Sequence, residues 1–306
     1  CNKMGTVAFL FSGQGSQYTG MGKELAKCSK NAARVFELAD SIRPGTSKQC
    51  FEGTDEELII TRNTQPCLVC VDLAAAEALK ERAIIPDYLA GFSLGDIPAL
   101  AFGEYISTED AFKFIIKRAE YMDDCGKKNP GTMYAVIGLK GEDVEKICSK
   151  IEGCYPVNYN LELQTVVSCT VESSKDFPKL VSEHGGKTLK LAVSGGFHSP
   201  MMNEARTRLE SEFKNIDYKE GKISLFSNVT GEAYKNREQI FQQINSPVLW
   251  HRLILNLNKH GVDTFVEVGP GKTLSNMVKK ILGKVTILNV EDEKTLIKAQ
   301  EELTNA

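Results

Sequence analysis

The order of predicted elements in the middle of the chain constrains its fold more than any other feature. Between residues 132 and 193, segments follow one another as strand, helix, strand, strand, helix, strand. This order is typical of a ferredoxin-like unit, in which two helices cover one face of a small antiparallel sheet. The segments are strand-like at 132–139, 155–159, 165–170 and 187–193, and helix-like at 142–151 and 174–184.

The segments on both sides of this unit alternate between short apolar strands and amphipathic helices. Val7-Ala-Phe-Leu-Phe11 and Tyr88-Leu-Ala are apolar runs that suit strands of a parallel sheet buried on both faces. Such alternation is typical of an α/β domain. We therefore predict a large α/β domain from residues 1–131 and 197–306, with the ferredoxin-like subdomain inserted at 132–196. Further strands are predicted at 224–228, 264–268 and 286–289, and helices at 22–39, 94–101, 108–125, 237–244, 250–259 and 274–281.

The region before the second strand contains the only CxxC pair. Residues 44–63 form a polar stretch, and a buried helix is predicted to begin at Pro66, because proline is tolerated in the first turn of a helix. Cys67 and Cys70 lie in this helix. A zinc site would need a second such pair or a pair of histidines. The two cysteines are therefore interpreted as small core residues, and no metal site is predicted.

Charge and composition exclude several partners. The 306 residues carry a net charge of −3, so there is no global basic footprint for nucleic acid. No apolar run approaches the roughly 18 residues that a membrane-spanning helix needs, and the N-terminal residues lack the apolar stretch of a signal peptide. Nine irregularly spaced cysteines favour a reducing compartment, and we expect a cytoplasmic protein.

The strongest local signal for chemistry is Gly91-Phe-Ser-Leu-Gly95. It follows an apolar strand and precedes a helical stretch, which is the setting that a nucleophile elbow requires. The glycines allow a sharp turn, so that Ser93 projects from its tip, where the helix N-terminus stabilises negative charge. The alternative is an ordinary tight turn with a solvent-facing serine. The context favours Ser93 as a nucleophile.

Serine is a weak nucleophile and needs a base, for which four histidines are available. His184 and His260 each precede a glycine at the end of a helical pattern, which is typical of a helix C-cap. His251 lies early in a predicted helix, and a structural role is favoured. His198 differs, because it lies on a Gly-rich loop after a strand, where catalytic groups concentrate. We interpret His198 as the base.

The loop Ser12-Gly-Gln-Gly-Ser-Gln17 follows the first strand directly. It fails the dinucleotide-binding pattern, because that pattern requires glycine at the position of Tyr18. An oxyanion hole fits better, made by the backbone N–H groups of Gln14 and of Leu94, the residue after the nucleophile.

Two further features do not establish a site from their own residues. Arg118 lies on a largely apolar helix, and its spacing leaves a surface arginine and a functional one equally open. The segment Gly269-Pro-Gly-Lys-Thr273 is superficially similar to a phosphate-binding loop. That pattern would require glycine where Val266 stands, so a phosphate loop is excluded.

Taken together, these segments resemble the malonyl-CoA:acyl-carrier-protein transacylase family, which includes the acyltransferase domains of polyketide synthases. The similarity covers nearly the whole chain. It implies a hydrolase-like parallel-sheet large domain with an inserted ferredoxin-like subdomain, in agreement with the order of elements above. Nine segments carry it, at 11–17, 63–66, 91–96, 117–122, 158–164, 196–200, 227–230, 243–248 and 267–272.

The resemblance implies a role for each matching residue. Ser93 is the expected nucleophile and His198 the expected base, with Gln14 and Leu94 at the oxyanion hole. Arg118 is expected to bind the free carboxylate of a malonyl group, since a planar guanidinium pairs with a carboxylate in a bidentate manner.

Further residues are implied near the substrate. Gln243 corresponds to a residue beside the histidine, whose ring nitrogen is oriented by backbone carbonyls. Asn160 and Phe197 are expected to contact substrate, and Phe197 is typical of malonyl-selective members. Three features depart from the family pattern. Phe92 stands where a histidine is usual, Asp96 replaces the usual glutamate, and residues 161–163 read Leu-Glu-Leu instead of small residues. These departures bear on the acyl preference and leave the core chemistry unchanged.

The implied activity is malonyl transfer from malonyl-CoA to the phosphopantetheine thiol of an acyl carrier protein, without a cofactor. Both fatty-acid and polyketide synthesis remain open as the pathway. One alternative is a serine esterase or thioesterase, which usually carries its acid before a late histidine. Here 108 residues follow His198 and no acid stands out. The other alternative is a non-catalytic module that docks carrier proteins, which the combination of Ser93, His198 and Arg118 disfavours.

Overall fold

A computed structural model describes residues 5–192 and 195–304. Val193, the last residue of a predicted strand, and Ser194, the first residue of the histidine loop, lie outside the described residues. Nine strands and fourteen α-helices are described in these two ranges. Three single 3₁₀ turns lie at Ser93–Gly95, Ser173–Lys175 and Pro200–Met202.

The large sheet has five strands, all parallel. Its spatial order is β7-β2-β1-β8-β9. All five residues of β1 and of β8 are buried, because helices cover both faces of the sheet. Since the strands run the same way, their carboxyl ends meet at one edge, where α/β proteins place their sites. The strands are β1 (Val7–Phe11), β2 (Tyr88–Gly91), β7 (Ser224–Phe226), β8 (Thr264–Val268) and β9 (Thr286–Val290).

Twelve helices surround this sheet. The longest two, α5 and α7, have 21 residues each, and α5 is buried along most of its length. The helices are α1 (Lys23–Cys28), α2 (Lys30–Ile42), α3 (Thr46–Glu52), α4 (Asp55–Leu58), α5 (Thr61–Glu81), α6 (Asp96–Phe102), α7 (Thr108–Lys128), α10 (Asn203–Glu212), α11 (Glu238–Asn245), α12 (Trp250–Lys259), α13 (Thr273–Leu282) and α14 (Glu293–Thr304).

The small sheet has four antiparallel strands in the order β4-β5-β3-β6. Two helices pack on one face through an apolar cluster that includes Val136, Val167 and Phe177. The chain order and the strand order are those of a ferredoxin-like unit. The predicted fold class, a parallel-sheet α/β domain with a ferredoxin-like subdomain, is confirmed. The elements are β3 (Gly131–Ile137), α8 (Gly141–Cys148), β4 (Cys154–Leu161), β5 (Gln164–Thr170), α9 (Phe177–Glu183) and β6 (Lys187–Lys190).

Backbone hydrogen bonds tie the small sheet to the large domain. The Val248 N–H donates to the Val157 carbonyl at 2.9 Å, and the Tyr159 N–H donates to the Val248 carbonyl at 2.9 Å. Val248 thus extends the edge of β4 like a short parallel strand. This contact fixes β4, which carries Asn158 and Asn160, relative to the sheet of the large domain.

Several sequence predictions were wrong in detail. The polar stretch at 44–63 contains α3 and α4, and the buried helix begins at Thr61, so Pro66 lies inside its first turns. The predicted helix at 22–39 is two helices, which separate at Ser29, the N-cap of α2. The helices α10 and α14 were not predicted. The C-cap positions of His184 and His260 are confirmed.

Candidate active site

The turn after β2 has the geometry of a nucleophile elbow. Ser93 adopts a left-handed backbone conformation with φ of 57°, which is strained for a residue with a side chain. A Cβ atom on Gly91 would lie 2.0 Å from the Gly95 carbonyl carbon, and one on Gly95 would lie 2.2 Å from the Phe11 carbonyl oxygen. Both glycines are therefore required for the turn to pass so close to itself and to β1.

Ser93 and His198 are brought together from positions 105 residues apart. The Ser93 Oγ lies 2.7 Å from His198 Nε2. The other ring nitrogen, Nδ1, lies 2.7 Å from the Gln243 carbonyl oxygen. Because a carbonyl only accepts, Nδ1 carries the proton, and Nε2 accepts from the Ser93 hydroxyl.

The end of α11 supplies the groups that orient His198. The last four carbonyls of a helix have no partner within the helix. Gln243 and Ile244 are among them, and the Ile244 carbonyl accepts from the His198 backbone N–H at 3.1 Å. His198 is 3% exposed and has φ of 62°. The orientation that an aspartate gives in other serine enzymes comes here from two backbone carbonyls.

The environment of His198 keeps its ring neutral. Burial and, to a smaller extent, the positive charge of Arg118 lower the pKa of His198 to about 4, against the opposing effect of the backbone carbonyls. A neutral imidazole at physiological pH can accept a proton from Ser93.

Asn228 and Gln243 fix the backbone of the elbow. The Asn228 Oδ1 accepts from the Ser93 N–H at 2.9 Å, and its Nδ2 donates to the Gly91 carbonyl at 2.6 Å. The Gln243 Nε2 donates to the Ser93 carbonyl and to Asn228 Oδ1. Asn228 was not predicted as a site residue, although it lies just after β7 in one of the family-like segments.

Arg118 is buried beneath this network, 1% exposed. Its Nη1 donates to Gln65 Oε1 at 2.6 Å and its Nη2 to Gln243 Oε1 at 2.9 Å. Within the described part of the chain no carboxylate lies within ion-pair distance of Arg118. Burial lowers its pKa to about 10. The interpretation of Arg118 as a surface residue is therefore wrong, and Gln65 is a partner that the sequence analysis missed.

A second buried pair lies near Arg118. The Tyr234 hydroxyl donates to Asp96 Oδ2 at 3.0 Å. Burial raises the pKa of Asp96 to about 8, while Tyr234 and Arg118 act in the opposite direction. Asp96 is 1% exposed, so most of its charge would be uncompensated if it were ionised. No local pattern could have indicated Tyr234, which lies 138 residues from Asp96.

A cavity of about 420 Å³ opens above the elbow. The large domain forms one wall of the cavity. The small subdomain forms the other wall, which is lined by Met133, Val166 and Leu191. Phe92 packs edge-on against Trp250, with ring centroids 5.2 Å apart. Six of the predicted site residues line this cavity: Gln14, Phe92, Ser93, Asn160, Phe197 and His198.

Three predicted site residues do not line the cavity. Arg118 and Gln243 lie beneath the cavity, where Arg118 bonds to Gln243 and the Gln243 amide donates to the Ser93 carbonyl. Leu94 is a buried residue of the 3₁₀ turn. Leu94 is expected to act through its backbone N–H alone. No side chain among the described residues accepts a hydrogen bond from the N–H of Gln14 or Leu94.

Two features are absent from the described residues. They contain no cluster of three or more His, Cys, Asp or Glu side chains that could hold a metal ion. Within residues 5–192 and 195–304, no helix combines the length and the apolarity needed to cross a bilayer.

Comparison with known proteins places these features in context. Residues 8–305 match the family described as acyl transferase domain. The chain is 37% identical over 303 residues to the malonyl CoA-acyl carrier protein transacylase of Bacillus subtilis (strain 168). This match covers 96% of each of the two chains.

Solved structures of malonyl transacylases are also similar to this chain over nearly its whole length. The crystal structure of malonyl CoA-acyl carrier protein transacylase from Clostridium perfringens superposes with a TM-score of 0.94, at 35% identity and with 98% of each chain covered. A type II PKS acyl-carrier protein in complex with its malonyl-transacylase gives a TM-score of 0.92, at 28% identity, and covers 97% of this chain and 99% of the other.

Proposed function

This chain belongs to the acyl transferase domain family, and on that basis we propose that Ser93 carries the acyl group during transfer. The enzyme moves a malonyl group from malonyl-CoA to the thiol of an acyl carrier protein, as a step of fatty-acid or polyketide synthesis. The observation that supports Ser93 most directly is its 2.7 Å contact with His198 Nε2.

In the first half-reaction the Ser93 Oγ attacks the thioester carbonyl of malonyl-CoA. His198 Nε2 accepts the hydroxyl proton as the bond forms. The tetrahedral intermediate then collapses, the carbon–sulfur bond breaks, and His198 returns the proton to the departing CoA thiol. The product is a malonyl ester of Ser93. In the second half-reaction the carrier-protein thiol attacks this ester, with the same proton movements in reverse.

The negative charge of each tetrahedral intermediate needs donors that are already in place. We assign this role to the N–H groups of Gln14 and Leu94, which flank Ser93 from the loop after β1 and from the elbow. Donors that are fixed before the reaction stabilise the oxyanion without reorganisation. The remaining chemistry needs no cofactor, because serine, histidine and backbone amides suffice for acyl transfer.

Arg118 supports a dicarboxylic substrate. Its guanidinium is buried, and its Nη groups bond to the neutral amides of Gln65 and Gln243. A buried charge without a partner of opposite sign is costly, and a malonyl carboxylate would supply that partner. The Gln243 side chain connects Arg118 to the Ser93 carbonyl, so the expected partner of the carboxylate is joined directly to the backbone of the nucleophile.

The other predicted residues are assigned to the walls of the acyl and pantetheine site. Phe92 and Phe197 contribute apolar surface to the cavity that Ser93 and His198 also line. Asn160 has a buried side-chain oxygen without a hydrogen-bond partner among the described residues, and it lines the same cavity. It is suited to bind an amide N–H of the pantetheine arm.

A cytoplasmic location fits the state of the cysteines. All eight cysteines of the described residues are free. Cys154 and Cys169 lie directly opposite on β4 and β5 with sulfurs 3.5 Å apart, and they are not bonded. Such a pair is typical of a reducing compartment.

The test is incubation with malonyl-CoA followed by mass spectrometry of the intact protein. We expect a gain of one malonyl group, which peptide mapping places on Ser93 and which is lost when an acyl carrier protein is added. A hydrolase would lose the group to water without the carrier, and a docking module would not acquire it. In Ser93→Ala the gain should disappear while the fold persists, and acylation at another residue would refute the assignment.

A further inference from the structure

A fully buried carboxyl group lies under the loop that carries Gln14. Asp72 is in the middle of α5 and is 0% exposed. Its Oδ1 accepts from the Ser12 hydroxyl at 2.5 Å. Its Oδ2 has no hydrogen-bond partner among the described residues. A buried carboxyl that makes so few bonds is costly, and neither the proposed acyl transfer chemistry nor the core packing of α5 uses it.

Asp72 also contacts the loop that follows β8. A Cβ atom on Gly269 would lie 1.9 Å from Asp72 Oδ1 and 2.6 Å from Ser12 Oγ. Gly269 has φ of 116°, a conformation that side chains rarely adopt. Gly269 begins the segment that superficially resembles a phosphate loop. Its lack of a side chain leaves room for the Asp72 carboxyl.

The two loops that meet at Asp72 form one side of the catalytic cavity. The Ser12 N–H donates to the Val268 carbonyl at 3.4 Å, which joins the loops at the ends of β1 and β8. Gly13 and Gln14 follow Ser12 directly and line the cavity, as does Thr273 after the second loop. The position of the Gln14 N–H therefore depends on where Ser12 is held.

We propose that Asp72 is a positioning residue for acyl transfer, which holds the Gln14 loop in place through the hydroxyl of Ser12. The inference rests on the proposed function, in which the Gln14 N–H stabilises the oxyanion. An oxyanion donor acts only when it is fixed before the reaction. Asp72 provides that fixation from a helix that is itself buried along most of its length.

The protonation state of Asp72 agrees with this role. Burial raises the pKa of Asp72 well above its usual range, the Ser12 hydrogen bond opposes the shift, and the nearby Glu267 carboxyl adds to it. This shift favours the neutral acid, in which Asp72 holds Ser12 without a buried charge. Asparagine has the same shape and an equivalent oxygen, so it should replace Asp72, whereas alanine should not.

The experiment measures acylation of Ser93 by saturating malonyl-CoA in a single turnover, followed by intact mass. Asp72→Ala and Ser12→Ala should each slow this step by roughly 10- to 100-fold, less than the loss of a whole oxyanion donor. The KM for malonyl-CoA should change by less than about 3-fold, because ground-state binding is retained. Asp72→Asn should restore the rate to within about 3-fold of the natural protein.

A double variant separates positioning from general destabilisation. If Asp72 acts through Ser12, the double alanine variant should be about as slow as either single variant. Cys70→Ala is the matched control, because Cys70 is also 0% exposed on α5, and it should acylate at the natural rate. If Asp72→Ala does not fold, the comparison of Ser12→Ala with Asp72→Asn decides the question.

Three results would overturn the inference. They are a natural acylation rate in Asp72→Ala or Ser12→Ala, losses that multiply in the double variant, and a loss in Cys70→Ala that equals that of Asp72→Ala. In each case Ser93 of the natural protein would still be acylated, so the proposed function would stand. Failure of the natural protein to acquire malonate on Ser93 would instead refute the proposed function, and the inference with it.

Discussion

The Nη2 of Arg118 lies 2.9 Å from the side-chain oxygen of Gln243, whose amide nitrogen donates to the Ser93 carbonyl. One amide group thus connects the residue proposed to bind the malonyl carboxylate with the backbone of the nucleophile. The main-chain carbonyl of the same Gln243 accepts from His198. A change in this side chain should therefore affect substrate binding and the elbow together, while the histidine keeps its carbonyl partner.

Gln243→Ala tests this connection. The substitution leaves a buried Arg118 donor without its acceptor, which should lower the free energy of unfolding by about 1–3 kcal/mol. It should also slow malonyl transfer by about 10-fold, or about 1.4 kcal/mol, because the elbow loses one support. Gln239→Ala is the control, since Gln239 is buried on the same helix but bonds to the Lys235 N–H. It should lose stability only. Equal transfer rates in the two variants would contradict the connection.

The pH dependence of acylation should report the lowered pKa of His198. Because the base must be neutral to accept a proton, kcat/KM should stay level from pH 8 to about pH 5 and fall towards the pKa of about 4. An ordinary histidine would produce the fall near pH 6.5. Stopped-flow acylation across this range is the measurement. A midpoint near 6.5 would show that the burial of His198 does not persist in solution.

His198→Ala should slow acylation by about 10² to 10⁴-fold, the usual effect of losing a positioned general base. His260→Ala is its control, since His260 is an exposed C-cap whose Nδ1 lies 2.8 Å from the Asn256 carbonyl. An equal effect of the two substitutions would remove His198 from the mechanism.

Asp96 should make the protein less stable as pH rises. Its carboxyl keeps a proton up to a pKa of about 8 in the folded state, whereas an unfolded aspartate loses it near pH 4. Between these values the folded state binds more protons, so the contribution of Asp96 to stability decreases with rising pH. Asp96→Asn removes this contribution.

Urea unfolding at pH 6 and at pH 8 measures the effect. The free energy of unfolding of Asp96→Asn, relative to the natural protein, should increase on the order of 1 kcal/mol per pH unit over this interval. Asp143→Asn, at an exposed position on α8, controls for the change in net charge. A difference that does not vary with pH would mean that Asp96 is ionised throughout.

Sequence patterns predicted the elements whose signal is local. β1 and β8 are continuous apolar runs because both faces of a parallel sheet are covered, and the elbow glycines have a fixed spacing around Ser93. By contrast, α10 was missed because only Ala205 and Leu209 of its ten residues are buried, which leaves almost no apolar periodicity. The start of α5 was misplaced because Pro66 lies in the second turn, past the first-turn positions that proline favours, where its ring removes a backbone hydrogen bond without ending the helix.

The site could be predicted only where its contacts leave a local trace. The burial of Arg118 leaves a local signal in the sequence. Arg118 lies three residues after Ile115 and four before Met122, and this helical spacing places it on the apolar face of α7. The bonds of Asn228 to Ser93 and of Tyr234 to Asp96 join residues more than 130 positions apart. Such pairs depend on the packing of whole elements, which no single segment encodes.

Substitution of Arg118 distinguishes a substrate-binding role from a structural one. Arg118→Ala should weaken malonyl transfer by about 10² or more, a loss on the order of 3 kcal/mol, because the substrate carboxylate would then be buried without a partner. Acetyl transfer should be unchanged or faster, since an acetyl group brings no carboxylate and no longer meets a buried guanidinium. Both rates are measured from CoA donors to one carrier protein. Arg62→Ala is the control, because Arg62 is exposed and paired with Asp123, and it should alter neither rate. A parallel fall of malonyl and acetyl transfer in Arg118→Ala would show that the residue supports the fold, and the dicarboxylic preference would then need another cation.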